Sequence, residues 1–207
     1  MKISTYFASL GYKWSNRQKD YIVKDFQRHC GLVVDGIIGQ NTRKCIRKYN
    51  SYNFCPEVFE PIKPYIPYSD NDIGLLMKPN LMGYGYIFNK ESKKNNFDVL
   101  HNIGHAVLEG SYKGKWANSY IARIKNNTYG FGAYDLSPVT SAKKFESLKQ
   151  GIEVWSKWWN ENYLEPWGVY YHGNCEKGVN YKYASSGIAG INKAFIVRDL
   201  RRKLWDN

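Results

Sequence analysis

Glu109 closes the apolar run His105-Ala-Val-Leu-Glu109. A Gly- and aromatic-rich stretch follows, Asn126-Asn-Thr-Tyr-Gly-Phe-Gly-Ala-Tyr-Asp135-Leu-Ser-Pro138. A carboxyl at the end of an apolar helix loses part of its hydration, which disfavours the charged form and raises its pKa. Such a Glu stays protonated near neutrality and can give its proton to a leaving glycosidic oxygen, help typically worth about 10²- to 10⁴-fold. Tyr129, Phe131, Tyr134 and Trp116 are candidates to line a cleft by stacking on sugar rings. His105, one helical turn before Glu109, is placed to pack or hydrogen-bond beneath the acid.

Other chemistries fit less well. His101, His105 and Glu109 recur at i, i+4 and i+8 like a metal-ligand face, but the zinc peptidase pattern needs Glu directly after the first His, and Asn102 stands there. The four cysteines, Cys30, Cys45, Cys55 and Cys175, lack CxxC spacing and paired histidines, so no metal and no cofactor is expected. Cys30 and Cys45 could pair across two helices, although free buried thiols are the simpler expectation. His172 and Cys175 sit too close in sequence, with no helix-borne Cys, for a cysteine peptidase. Neither a phosphate-cradling glycine loop nor a nucleic-acid module is present, so nucleic acid is not an expected partner.

A formal charge of +12 and a pI near 9.4 call for an anionic partner, and the charge is spread, with +6 on residues 1–69 and +6 on the remainder. With 207 residues, 43% of them hydrophobic, the chain can bury a real core. Met1 to Leu10 lacks the continuous apolar run of a secretory signal, and the chain offers no stretch of about 18 apolar residues, so neither export nor stable membrane insertion is expected.

The elements that must position Glu109 are helical. Phe97, Leu100, Ile103 and Val107 form one stripe over 96–109, with Asn96 or Asp98 at its capped start. Leu148, Ile152, Trp155 and Trp159 mark a helix over 147–163, and Ile191, Phe195 and Leu200 another over 188–204. Residues 110–146 read as loop with short strands. Upstream, Ile22, Val23, Phe26 and Cys30 follow helical spacing, and two tight turns in Leu32-Val-Val-Asp35-Gly36-Ile-Ile-Gly39 lead to a helix from Thr42 to about Tyr49. Pro56, Pro61, Pro64 and Pro67 predict an extended linker. The division is residues 1–52, a linker over 53–69, and a second domain over 70–207.

Phe26-Gln27-Arg28, Gly31-Leu32, Val34-Asp35-Gly36-Ile37-Ile38-Gly39 and Thr42 resemble the peptidoglycan-binding domain family, a three-helix wall-anchoring module. The resemblance implies wall-binding roles around Asp35, Gly36, Gly39 and Thr42 and peptide stems of peptidoglycan as a partner. His105-Ala-Val-Leu-Glu109, Ser119-Tyr-Ile-Ala122, Asn126-Asn127, Tyr129-Gly130, Gly132-Ala-Tyr-Asp135, Pro138, Ala142-Lys-Lys-Phe145, Asn162-Tyr163 and Tyr183-Ala-Ser185 resemble the glucosaminidase domain of bacterial and phage autolysins, glycoside hydrolase family 73. That resemblance implies a mainly α chain. Its second domain would be a lysozyme-like α+β fold with a small loop/β lobe, cleaving after N-acetylglucosamine with Glu109 as general acid.

It also makes Asp135 the first choice for a second carboxylate, ahead of Glu146 and Glu176, unless the substrate's own acetamido group assists and leaves Asp135 an orienting role. Tyr183 would orient substrate or polarise the acetamido carbonyl. The chain departs from the pattern after Glu109, where Gly110-Ser-Tyr-Lys-Gly-Lys-Trp116 is about four residues longer. The whole reads as a monomeric phage-type endolysin, held in the host cytoplasm until the membrane is permeabilised and then acting on the wall. A muramidase or lytic transglycosylase on the same fold, or a wall-binding protein whose acid the longer loop has disabled, are the alternatives.

Overall fold

The computed structural model describes residue 4 and residues 19–29, 32–51, 60–133, 136–183 and 189–205. In the N-terminal module, α1 (Lys19–His29) and α2 (Gln40–Ser51) flank the glycine-turned loop. Ile22, Val23 and Phe26 are buried on α1, as their spacing predicts. Cys45 is disulfide-bonded, which corrects the expectation of free thiols at that position, while Cys175 is free. Cys30 and Cys55 lie outside the described residues.

The second domain comprises α3 (Asp70–Leu76), a 3-10 turn (Pro79–Leu81), α4 (Gly85–Lys94), α5 (Val99–Gly110), α6 (Tyr120–Lys125), α7 (Pro138–Ser141), α8 (Leu148–Trp159), a π turn (Asn160–Leu164), α9 (Glu176–Tyr183) and α10 (Ala189–Trp205). Side-chain oxygens cap four of these: Ser69 on α3, Asp98 on α5, Ser119 on α6 and Ser147 on α8 each accept from a first-turn N–H. The expected β lobe is corrected. Among the described residues, β pairing is confined to the isolated bridges Pro61–Cys175 and Tyr112–Lys115, and 110–146 is built of turns and two short helices.

The fold is organised around α5, whose residues Val99 to Val107 are all buried. A helix apolar on most of its circumference belongs inside. Helix α10 packs closely on it because Gly104 has no side chain: a Cβ there would lie 3.1 Å from Val197 Cγ2 and 3.4 Å from Lys193 Cγ. Asn102 ties α5 to its other neighbours, donating to Ser92 Oγ of α4 (3.2 Å) and Ser156 Oγ of α8 (3.0 Å) and accepting from the Tyr129 hydroxyl (2.7 Å).

The proline-rich segment is not a free linker from residue 60 onward. Ile62 is fully buried in the domain core, its N–H donates to Asn174 O and its carbonyl accepts from Asp98 N. Lys63 pairs with Glu165 (2.5 Å), Glu60 with Arg201 (2.5 Å), and the Tyr65 hydroxyl donates to Asn89. Proline stops the segment from becoming a helix but does not stop it from packing as an extended strap. Ile62→Ala should therefore cost about 2–4 kcal/mol in urea unfolding followed by near-UV circular dichroism; a linker residue would change it by less than about 0.5 kcal/mol.

Candidate active site

Glu109 occupies the last turn of α5 and is half-buried. Burial pushes its carboxyl up to about 7, against a smaller opposing pull from the charge of Lys193. It shares a pocket with His105, Leu108, Glu176, Val179, Asn180, Tyr183, Ala189, Gly190 and Lys193.

The loop after α6 faces the acid because its own side chains clamp it. Asn126 adopts a left-handed conformation (φ 51°) to end α6 and donates to Phe145 O and Glu146 O. Asn127 accepts from Phe131 N and donates to Phe131 O and Lys143 O. Thr128 Oγ1 donates to Ala106 O of α5 (3.0 Å), and Gly110 lies so close that an added Cβ would sit 2.1 Å from that hydroxyl. Gly130 (φ 62°) arrives beside the acid, where a Cβ would lie 3.9 Å from Glu109 Oε2.

The four extra residues after Glu109 form a self-contained excursion. Tyr112 and Lys115 exchange both backbone hydrogen bonds around Lys113 and Gly114, which both have positive φ, the two-residue hairpin turn. The chain then returns to its origin, with Asn118 N and Ser119 N both donating to Gly110 O (2.8 Å).

Beneath the acid lies a buried polar chain that sequence reading missed. His101 Nδ1 contacts Glu176 Oε1. Lys193 Nζ lies 2.8 Å from Glu176 Oε2, donates to His105 Nδ1 (2.9 Å) and sits 4.5 Å over the Trp159 ring. Burial alone would raise the Glu176 carboxyl, but the Lys193 charge and the His101 contact outweigh it and hold Glu176 below the usual range. Burial pulls Lys193 down against the counter-charge of Glu176, and burial with the Lys193 charge drives His105 well below the ordinary histidine range, so His105 is neutral. The signal was present: Lys193 falls on the buried stripe of α10 with Gly190, Ala194, Val197 and Leu200, the one cation among them. The same pairing removes Glu176 from contention as a second catalytic carboxylate. Glu146 is exposed at the start of α8, and Asp135 and Tyr134 lie outside the described residues.

The aromatic expectations need revision. Trp116 is 8% exposed and Tyr129 1%, both in the core, so neither presents a face to a sugar. Tyr129 stacks on Trp155 instead (centroids 3.9 Å, planes 3° apart). Phe131 is half-buried against Trp158 with Lys143 over its ring. His105 does lie beneath the acid, packed edge-on against Tyr183 (4.4 Å) and against Trp155 (4.6 Å). The Tyr183 hydroxyl lies 3.4 Å from Trp155 Nε1 and 3.3 Å from Tyr129 O. Burial and the nearby Glu109 charge raise it, so it stays protonated.

In the N-terminal module, Gln27 knots the loop. Its Nε2 donates to Asp35 Oδ1 (2.7 Å), Ile37 O (2.9 Å) and Thr42 Oγ1 (3.1 Å), and its Oε1 accepts from Gly36 N (2.8 Å). The Ile37 N–H and then Gln27 hold the Asp35 carboxyl below its ordinary value. Thr42 is buried, which corrects its expected contact with the wall, and Asp35 and Gly36 are engaged in shaping the loop. Gly39 is open on its Cα face.

Known proteins agree with both halves. Residues 22–46 match the family model described as "Putative peptidoglycan binding domain". Two Streptococcus pneumoniae proteins named "Putative endo-beta-N-acetylglucosaminidase" are 34% identical over 120 residues, 58% of this chain. The match spans only 18% and 16% of their own lengths. Crystal structures of S. aureus Autolysin E superpose with TM-scores of 0.58 with the muropeptide NAM-L-Ala-D-iGlu (19% identity, 87% of this chain and 88% of that one) and 0.53 for a catalytic Glu-to-Ala mutant with the disaccharide NAG-NAM (17% identity, 70% and 72%). The chain shares the Autolysin E fold. The mainly helical, lysozyme-like architecture expected from the sequence is thereby established, with no β lobe among the described residues.

The site makes a prediction independent of substrate. The Glu109 carboxyl should titrate near pH 7 in a ¹³C NMR experiment. Because its folded value lies above the ordinary 4.5, the folded state holds that proton more tightly, and stability from this group is lost as pH rises from 4.5 to 7. Glu109→Gln should thus be more stable than the parent above pH 7, by up to about 3 kcal/mol, and equal to it below pH 4.

Proposed function

We propose that this chain is a peptidoglycan hydrolase that cuts the glycan strand as an endo-β-N-acetylglucosaminidase, with Glu109 as general acid and the N-terminal module as wall anchor. The observation that carries this reading is a half-buried carboxyl at the end of α5, pushed up to about 7 by burial, in a pocket whose other carboxylate, Glu176, is already paired. Near neutrality a substantial share of Glu109 holds the proton that a departing glycosidic oxygen needs. The pneumococcal relatives carry that activity in their names, and the Autolysin E structures place a catalytic glutamate and a NAG-NAM ligand on the same fold.

With Glu146 exposed and Glu176 buried in ion pairs, the second half of the reaction falls to Asp135, or to the substrate's own acetamido group with Asp135 in an orienting role, and Tyr183 forms part of the pocket wall. The closed excursion after Gly110 supports an intact acid over the binding-only reading, because its returning end is pinned to its start, with Asn118 N and Ser119 N both donating to Gly110 O. The anchor raises local substrate concentration by tethering, and the +12 charge draws the protein to an anionic wall.

Digestion of purified peptidoglycan, borohydride reduction and mass spectrometry should reveal reduced glucosamine ends. Reduced muramic acid ends would point to a muramidase, anhydro-muramic ends to a lytic transglycosylase. Glu109→Gln should lower product release at least 10³-fold while wall pull-down is unchanged; retained lysis would overturn the assignment of Glu109.

The same reading extends to a phage-type lytic role, as a monomer that waits in the host cytoplasm for membrane permeabilisation. Cells expressing the chain should keep their turbidity until a permeabilising agent is added and then lyse within minutes. Lysis without the agent would overturn it.

A further inference from the structure

The buried chain under the acid has no counterpart in the chemistry described so far, and it is costly. Lys193 is 2% exposed and Glu176 1%, and taking both charges out of water is repaid only where the geometry is good. A Leu–Met pair would fill the same space without that cost, so the charge itself calls for a use.

Position supplies one. His105 lies one turn before Glu109 on α5, and Lys193 Nζ donates to His105 Nδ1, which places the ammonium one helical turn beneath the acid and in the same pocket. When Glu109 gives up its proton, a carboxylate is left at a half-buried site, where water screens it poorly. The charged and titratable groups lining its pocket are His105 from α5, Glu176 and Tyr183 from α9 and Lys193 from α10, with His101 behind Glu176 and Tyr129 behind His105. His105 is neutral, and Tyr183 and Tyr129 are raised and protonated, so Lys193 is the cation in this set that can offset the new charge.

We propose that Lys193 is a positioning residue of the reaction: its ammonium, kept charged by Glu176 and fixed by His105, stabilises the Glu109 carboxylate formed on proton donation. The proton leaves Glu109 for the glycosidic oxygen, and Lys193 keeps its own protons throughout. Glu176 is then the counter-ion that keeps a deeply buried lysine ionised, with His101 holding its second oxygen. The inference rests on Glu109 being the acid.

The test compares Lys193→Gln, which keeps a donor for Glu176 without the charge, with Lys193→Arg, which keeps the charge. The alkaline limb of kcat/KM on peptidoglycan and the ¹³C NMR titration of the Glu109 carboxyl should both move up by about one pH unit in the Gln variant, a loss of roughly tenfold in carboxylate stabilisation. Both should stay near the parent position in the Arg variant, with at least partial activity. If the two folded variants titrate like the parent, Lys193 only packs and the proposal falls. If the Gln variant does not fold, an Arg variant that loses activity while its Glu109 titration is unmoved overturns it as well. The NMR arm does not depend on turnover: should Glu109→Gln retain lysis, the functional reading fails, whereas the coupling of Lys193 to Glu109 is measured all the same.

Discussion

A helix buried on nearly every side can carry polar side chains only if each finds a partner inside the protein. Helix α5 carries three in its middle, His101, Asn102 and His105, all buried. Their partners dictate the neighbours: Ser92 on α4, Ser156 on α8, the Tyr129 hydroxyl from the loop, Glu176 on α9 and Lys193 on α10. Each packed element thus supplies one specific polar group. An apolar core would tolerate helices rotated or slid by a residue; here a shifted helix would break the bonds made by Asn102 and by the Nδ1 atoms of His101 and His105.

The position of Glu109 follows from that registry. Its helix cannot turn, and the next residue, Gly110, is held against Thr128 at a distance that excludes any side chain. The loop carrying Thr128 is in turn bound by Asn126 and Asn127 to the segment before α8. Acid, loop and floor therefore belong to one rigid set, the condition for a carboxyl whose proton affinity is set by surroundings that do not reorganise during reaction. The strap over residues 60–68 closes the opposite side, with Glu60 and Asp98 sharing Arg201 at the start of α5.

Much of this was legible in the sequence, for reasons of period and punctuation. The stripe Phe97, Leu100, Ile103 and Val107 located α5, and the capping candidates Asn96 and Asp98 bracketed its start, of which Asp98 is the cap, because burial and capping act on neighbouring residues. Glu109 was legible from its place at the end of that run. The strap was misread since proline reports on helix propensity and says nothing of what an extended segment packs against. Trp116 and Tyr129 were misread since aromatic type does not distinguish a core ring from a displayed one. Glu176 and Lys193 were obscured because their meaning comes from each other, across helices that no local pattern joins.

Motif residues in both halves turn out to hold the frame. Gln27, Asp35, Gly36 and Thr42 are bound to one another, so the signature of the N-terminal module describes how its loop closes. Asn126 and Asn127 do the same for the loop beside Glu109, bonding through their side chains to backbone groups of Phe131, Lys143, Phe145 and Glu146. Side-chain amides suit this work because each offers both donor and acceptor in one plane and can substitute for a missing strand partner. Where loops stand in place of a sheet, as they do among the described residues, the loop backbone has to be satisfied in some such way. The side-chain amides at 27 and 126–127 are where this chain does so.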